Sequence, residues 1–164
     1  MRKAQVALLI ILVGLMGTAT LGEAEEKMTV SSQEQSIDYA NRILTYRGEV
    51  KVTWTNYSLE ADEVQVYLTP ENTLEKIIAT GEVKIRQDKG MEGSCERITY
   101  TAQDGVLLLE GNVNYRDEIG NTLSAQKVTI WTRERKVEAR GNPVIATYIL
   151  KEGVISGTPG GESK

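Results

Sequence analysis

Apolar and polar residues alternate along much of the chain with a period of two. Val50–Trp54 and Val83–Ile85 are clear examples, with Lys51, Thr53 and Lys84 between the apolar positions. Strict alternation places one apolar and one polar face on a β-strand. Val, Ile, Thr and Tyr dominate these stretches, and such residues suit a pleated surface. Because no segment after residue 25 keeps a helical period, the sequence predicts an all-β domain.

Three short patterns recur in the same order about every 30 residues. An apolar pair comes first, then a glycine followed two positions later by an apolar residue, then a longer alternating stretch. The glycine pattern occurs at Gly48–Lys51, Gly81–Lys84, Gly111–Asn114 and Gly141–Val144, and the longer one at Leu59–Val66, Gly93–Tyr100 and Leu123–Ile130. Such self-similarity is typical of stacked units that bury their apolar faces against their neighbours.

In the longer pattern the alternation slips by one residue at the same place in each repeat. The slip falls between Ala61 and Val64, between Cys95 and Ile98, and between Ala125 and Val128. A reproducible slip predicts a bulge or corner that turns the strand while both halves keep facing inward. Turn-forming residues separate the patterns. The prediction is therefore a single antiparallel domain of many short strands folded over on themselves, an open roll or flattened barrel.

The two ends of the chain differ from the repeats. Residues 1–24 combine a basic start, an apolar run at Val6–Leu15 and small residues at Gly17–Gly22, which predicts a secretory signal peptide. A membrane anchor is the alternative, although the apolar run is short for a span of about 20 residues. Residues 151–164 are rich in Gly, Ser, Lys and Glu, which predicts a flexible tail. The β-domain is then expected over residues 25–150.

Charge and composition argue against several functions. The formal net charge is −4, and losing Arg2 and Lys3 with a leader makes the domain more acidic, which disfavours nucleic-acid binding. The chain has no histidine, the commonest general base and metal ligand. Its single cysteine, Cys95, excludes an internal disulfide and is expected to be a small buried residue. We therefore expect no catalytic residues, no metal, no cofactor and no enzymatic activity.

Charged residues are candidates for catalysis or for phosphate binding. Paired carboxylates at 60–63 and 117–118 could serve a glycosidase, but alternation turns Glu60 and Asp62 toward solvent. Basic residues could meet phosphate groups at a groove mouth, with scattered surface charge as the alternative. These are Lys51, Lys84, Arg86, Arg116, Lys127, Arg133, Arg135 and Lys136.

Several stretches, in this order and spacing, resemble the OstA-like family of periplasmic lipopolysaccharide-transport proteins, the LptA family. They are Met28–Ser32, Gln35–Asp38, Ile43–Val52, Leu59–Val66, Leu109–Val113 and Leu123–Ile130. The resemblance implies an open β-jellyroll of about sixteen short strands around an apolar groove. It implies a periplasmic protein that binds lipopolysaccharide and bridges the inner and outer membranes by head-to-tail self-association, with LptC-like inner-membrane and LptD-like outer-membrane partners. An uncleaved start would instead favour an LptC-like, membrane-anchored member of the pathway.

The inward-facing apolar residues are the expected lining of that groove, where they would contact acyl chains. They are Leu44, Tyr46, Val50, Val52, Trp54, Leu59, Val64, Val66, Ile77, Val83, Ile85, Ile98, Tyr100, Leu107, Leu109, Val113, Tyr115, Leu123, Val128 and Ile130. The same residues could form the packed core of a structural envelope protein with a dry interior, and this alternative stays open. A lipid-binding protein is expected to have a trough that remains open along its length, whereas a structural protein with a dry core is not.

Strand edges are expected at both ends of an open roll, where another copy could pair. We place them near Thr29–Ser31 and near Val144–Ile149. Asn142–Pro143 departs from the glycine pattern, and because proline cannot donate to a ladder, an edge strand or the last strand is expected there.

Overall fold

A computed structural model of the chain describes residues 28–54 and 56–150, without the side chains of Met28 and Trp54. These residues form strands and turns and no helix, so the all-β prediction is confirmed. The strands are β1 Met28–Ser31, β2 Glu34–Asp38, β3 Ile43–Trp54, β4 Tyr57–Leu68, β5 Leu74–Gln87, β6 Glu92–Thr101, β7 Val106–Arg116, β8 Thr122–Trp131, β9 Lys136–Arg140 and β10 Ile145–Thr147. The predicted signal peptide at 1–24 and the tail at 151–164 lie outside the described residues.

All ten strands belong to one antiparallel sheet, in the order β1-β3-β4-β5-β6-β7-β8-β10. The six long strands β3 to β8 follow one another as hairpins. At each end of the sheet, one long strand is paired by two short ones. β3 pairs with β1 along its second half and with β2 along its first half. β8 pairs with β10 along its first half and with β9 along its second half. The sheet therefore stays open, with β1 and β10 at its edges.

The repeated glycine marks a β-bulge on every second long strand. Gly81 and Glu82 both have a positive φ, of 83° and 43°, and the register between β5 and β6 shifts there, between Thr80 and Val83. The pairs Gly48–Glu49 and Gly111–Asn112 repeat this geometry on β3 and β7. Two successive residues in this region bend the strand, because the extra residue is left out of the ladder. The bulges thus fold each long strand into two halves.

The slips predicted from the alternation lie on the strands beside these bulges. Register shifts occur between Glu60 and Glu63 on β4 and between Ser94 and Arg97 on β6. Ala61, Val64, Cys95 and Ile98, which flank the slips, are all buried, as are Ala125 and Val128 on β8. Both halves of these strands therefore face the interior, as predicted.

Two details differ from expectation. The implied strand number is about sixteen, whereas ten strands are present among the described residues, because β3 to β8 run continuously through their bends. Pro143 was expected in an edge strand or the last strand, but it lies in the connection between β9 and β10. In this connection the chain passes from pairing with the second half of β8 to pairing with its first half. Because the connection is outside the sheet, the missing backbone N–H of proline costs no hydrogen bond between strands.

The apolar faces of both strand halves form a single hydrophobic cluster. The cluster includes Val83 and Cys95 from the first half of the sheet and Ile98 and Val128 from the second. Half-buried residues on β1, β3, β4, β5, β7, β8 and β9 pack against it. Because the strands fold at the bulges, the two halves cover each other's apolar faces, and the core lies between them.

Candidate functional site

The residues predicted to line a groove are all buried or half-buried where the structure describes their side chains. Fully buried are Val50, Val64, Val83, Ile85, Ile98, Tyr100, Leu107, Leu109, Val113, Val128 and Ile130. Half-buried are Leu44, Tyr46, Val52, Leu59, Val66, Ile77, Tyr115 and Leu123. The side chain of Trp54 lies outside the described part of the chain. Alternation alone therefore identified the interior, although it did not distinguish core from lipid contact.

The interior is packed and is not an open trough along its length. Val83 is 0% exposed and Ile130 1%, so side chains from the two halves fill the space between the middle strands. Filling is expected, because an empty apolar trough would forfeit van der Waals contacts and expose hydrocarbon to water. The half-buried residues lie mainly on β3 and β4 and on β7 and β8, with Ile77 on β5. The apolar interior therefore approaches the surface near both ends of the sheet.

Polar atoms are nearly absent from this interior. Among the described residues, the buried polar or charged side chains are Thr45 and Asp117. Asp117 belongs to the turn between β7 and β8, where its carboxylate accepts hydrogen bonds from the backbone of Ile119 and from the backbone and side chain of Asn121. Its charge is thus satisfied within the turn, and it was not recognised from the sequence as a buried group. The space between the sheet halves is hydrocarbon in character.

Two titratable side chains of the interior, the buried Cys95 and the half-buried Tyr115, carry no charge near neutral pH. Burial raises the pKa of the Cys95 thiol to about 11 and that of the Tyr115 hydroxyl to about 12. Near neutral pH both groups are protonated, so neither brings a charge into the interior. A thiol with so high a pKa is a poor nucleophile, which agrees with the expectation that Cys95 is a small buried residue.

Sequence reasoning missed several interior residues. Met91 and Ala102 are 2% and 6% exposed, yet both adjoin turns, where alternation carries no signal. Ala61 and Ala125 were recognised only as spacing in the longer pattern. Their recurrence next to the slip was the available signal, because small side chains allow the two halves to approach where the strand bends.

The outer face carries charged residues, and some of them form ion pairs. Glu60 lies 3.9 Å from Lys51 and 3.7 Å from Arg86, and Glu63 is bonded to Arg47 at 2.6 Å. Glu60 and Glu63 therefore pair with cations on neighbouring strands and do not form an acid–base pair facing a cleft. Among the described residues, no group of three or more potential ligands could hold a metal ion.

The structure brings together three of the basic residues proposed for phosphate contact and separates the others. Lys127 is paired with Glu110 at 3.3 Å, Arg133 donates to the carbonyl of Ala102, and Lys136 lies over the ring of Trp131. Lys84, Arg86 and Arg116, in contrast, line one depression of about 380 Å³ on the outer face. Lys51 and Arg135 lie outside that depression.

Comparison with known proteins gives consistent matches. Residues 29–136 match the family model described as LptA/(LptD N-terminal domain) LPS transport protein. The lipopolysaccharide export system protein LptA of Escherichia coli K12 is 27% identical over 128 residues, covering 74% of this chain and 68% of that protein. The LptA of Shigella flexneri gives the same values. In the part of the chain that is described, no helix is long and apolar enough to cross a membrane.

A solved structure shares the fold. The crystal structure of LptH, the LptA-homologous periplasmic component of the lipopolysaccharide transport device of Pseudomonas aeruginosa, superposes with a TM-score of 0.63. It is 18% identical in sequence, and the match covers 76% of this chain and 96% of that one. The open, folded-over sheet described above is therefore a known architecture.

Proposed function

This chain belongs to the LptA/(LptD N-terminal domain) family of lipopolysaccharide transport proteins, and from that premise we propose that it binds the acyl chains of lipopolysaccharide between the two halves of its sheet. Proteins of this family act in transport and are not enzymes. We further propose that it works in the periplasm, with residues 1–24 as the signal peptide, as one unit of a bridge between the inner and outer membranes.

One observation carries the proposal: among the residues that the structure describes, the interior is a continuous apolar layer that runs across all the long strands and contains no acidic or basic side chain apart from the turn residue Asp117. Exposing an acyl chain of about 12 carbons to water costs on the order of 9 kcal/mol at about 0.8 kcal/mol per methylene. A lipid with several such chains needs an apolar surface along its whole route. The inner faces of this sheet supply one.

Entry of a chain requires the two sheet halves to separate, because the middle of the interior is packed. The half-buried residues give natural starting points, with Tyr46 and Leu59 toward the β1 edge and Tyr115 and Leu123 toward the β10 edge. Each core contact that is broken is replaced by a contact with a methylene group. The net free energy of entry is thereby smaller than the free energy of hydrating either surface.

A second function has an observation in its favour. The closed interior fits a structural envelope protein whose core never admits lipid, since Val83, Ile98 and Ile130 are at most 1% exposed. In that case the sheet would serve only as a rigid repeat. Lipid contact at interior positions separates the two functions.

Photocrosslinking in living cells is the decisive experiment. Benzoylphenylalanine at Tyr46 or Tyr115 would replace an aromatic side chain at a half-buried interior position. We expect a lipopolysaccharide adduct at both positions, detected as a shifted band that reacts with an antibody to the lipid.

Tyr67 is the matched control, because it is also aromatic and half-buried but faces outward, with its hydroxyl on Gln65. The adduct should be at least fivefold weaker there. Equal adducts at the inner and outer positions, or only protein products at Tyr46 and Tyr115, would favour the dry core.

The open edges support a proposal about partners. β1 and β10 end the sheet path, as anticipated for Thr29–Ser31 and, over the shorter range Ile145–Thr147, for the C-terminal edge. We propose that these edges pair head to tail with further copies, and with LptC-like and LptD-like proteins at the two membranes. An unpaired edge offers backbone donors and acceptors to another strand, and a heterologous contact that does not close generates a filament.

Placing a charge on the C-terminal edge tests this pairing. Ile145 lies on β10 and is 57% exposed, so Ile145→Asp adds a charge at the edge without disturbing the core. We expect self-association, measured by sedimentation velocity over a concentration series, to weaken at least tenfold. Ile119→Asp is the control, because Ile119 is 52% exposed but lies in a turn. Unchanged association of Ile145→Asp would contradict pairing through β10.

A further inference from the structure

A shallow depression of about 380 Å³, lined by polar, charged and apolar residues, lies on the outer face of the sheet. Its lining residues form two cross-strand rows over β5, β6, β7, β8 and β10. One row is Lys84, Ser94, Asn114, Ser124 and Ile145, and the other is Arg86, Glu92, Arg116 and Thr122. The other lining residues, Ile85, Gly93, Tyr115 and Leu123, are the chain neighbours between these positions, so they contribute mainly backbone to the floor.

Part of the floor of the depression is a row of small polar side chains. Ser94, Asn114 and Ser124 lie side by side on adjacent strands and offer hydroxyl and amide groups that can both donate and accept. The amide nitrogen of Asn114 donates to the carbonyl of Asn112 at 2.9 Å, which leaves its oxygen directed to other donors. Ile145, 57% exposed, adds an apolar flank at one end. A row of this kind matches the hydroxyl groups and C–H faces of a sugar.

The rim of the depression is positively charged, in a chain whose net charge is −4. Lys84 and Arg116 form no ion pair with any residue that the structure describes, and Arg86 has only an exposed contact with Glu60 at 3.7 Å. Glu92 is the one acidic lining residue, and it too is unpaired within the described chain. Exposed pairs contribute little, so the three cations remain available to an anion. Guanidinium groups bind phosphate with two parallel hydrogen bonds.

The depression lies at the end of the sheet that carries two turns, and its residues adjoin inward-facing ones. Arg86 and Glu92 form the last cross-strand pair before the turn between β5 and β6, and Arg116 and Thr122 the last pair before the turn between β7 and β8. The inward neighbours of these residues include Ile85 and Tyr115. A molecule with hydrocarbon between the sheet halves could therefore pass over this rim and place its polar part on the outer face.

We propose that this outer depression binds the phosphorylated saccharide headgroup of a glycolipid, with Arg116, Lys84 and Arg86 on a phosphoryl group and Ser94, Asn114 and Ser124 on the sugar. The identity of the lipid as lipopolysaccharide rests on the function proposed above. The site itself rests on the cations and the polar floor. The headgroup contact would orient the lipid while its acyl chains lie in the interior.

The test uses a headgroup that has no acyl chains, so that the interior plays no part. Fully deacylated lipopolysaccharide headgroup is titrated into the protein while the backbone amide signals of Ser94, Asn114 and Ser124 are followed by NMR. We expect saturable shifts at these amides, about tenfold weaker binding for Arg116→Ala, and a similar loss when the headgroup is treated with phosphatase. Arg97→Ala is the matched control, because Arg97 is also exposed, on a strand and without an ion pair among the described residues, and it should change binding less than twofold.

Each other outcome has a definite meaning. Absence of shifts at millimolar headgroup, or equal binding by Arg116→Ala and the parent protein, overturns the site. Inorganic phosphate binding as tightly as the headgroup overturns the saccharide part of the assignment. Displacement of an apolar fluorescent probe by a fatty acid is measured in parallel and should be the same for Arg116→Ala. Headgroup binding without fatty-acid binding would keep this site and reject the interior as the acyl-chain site.

Discussion

Replacing Gly81 by alanine is expected to lower the free energy of unfolding by about 3 kcal/mol. Gly81 has a φ of 83°, which an L side chain rarely adopts, and strain there costs about 1–2 kcal/mol. A β-carbon at this position would also collide with the carboxylate group of Asp62 from the neighbouring strand. Asp62 must then move, and the bend between the two halves of β5 shifts with it. Urea denaturation followed by circular dichroism measures the loss.

Alanine substitutions at two other glycines distinguish the cost of backbone strain from the cost of a steric collision. Gly90 has a φ of 98° but nothing within 4 Å of an added β-carbon, so Gly90→Ala should cost only the strain, about 1 kcal/mol. Gly93 has no positive φ, and its nearest neighbour would be a backbone oxygen at 3.8 Å, so Gly93→Ala should change stability by less than about 0.5 kcal/mol. A Gly81→Ala variant as stable as Gly93→Ala would show that the bulge does not hold the fold.

A collision like the one expected at Gly81 is also expected at the bulges of the other repeats. Gly48 lies under the side chain of Gln33 and Gly111 under that of Glu96, as Gly81 lies under Asp62. Each bulge is therefore covered by a polar side chain, from the adjacent strand at Gly81 and Gly111 and from the bend between β1 and β2 at Gly48, and an added methyl group would displace it. Large losses at all three positions would identify the bends as equivalent units.

Leu109→Asp is expected to leave the protein largely unfolded, with a loss of at least about 4 kcal/mol. Leu109 is 3% exposed and lies in the single apolar cluster between the sheet halves. A carboxylate there has no hydrogen-bonding partner, and its desolvation adds to the lost packing of the leucine. Thermal unfolding and tryptophan fluorescence would report the loss of the folded state.

Leu108 provides the matched control on the opposite face. It is adjacent in sequence and half-exposed, and it pairs with Thr99 and Thr129 on the neighbouring strands. Leu108→Asp should cost less than about 1 kcal/mol, because the new carboxylate stays hydrated. Similar losses for the two variants would contradict the assignment of inner and outer faces, and with it the proposed position of the acyl chains.

The closed middle and the half-buried ends of the core both matter for the proposed transport of a lipid. A core that is sealed at Val83 and Ile130 but half-open at Tyr46 and Tyr115 resists water while leaving apolar surface near both ends of the sheet. In the proposed bridge, passing a lipid from one such unit to the next would change little in buried area, so each step would need little net free energy. Direction would then have to come from outside the chain.

The sequence by itself determined the strands, their inward faces and the existence of a bend in each repeat. These are local properties, because a period of two decides which side of a strand each residue takes, as for Val83 and Ile85 against Lys84. The family resemblance rested on the same regular spacing. Residues such as Met91 escaped detection because a turn has no such period.

Only the tertiary structure decided which residues contact the bends and which surfaces cover the faces of the strands. That Gly81 lies under Asp62, that the two halves close on each other, and that Lys84, Arg86 and Arg116 share one depression depend on pairing between strands far apart in the sequence. Alternation gives the side on which a residue lies, but burial and neighbours follow from register and from the way the sheet folds over. The interior is closed for that reason: packing between the halves is a property of the assembled sheet, and no single strand contains it.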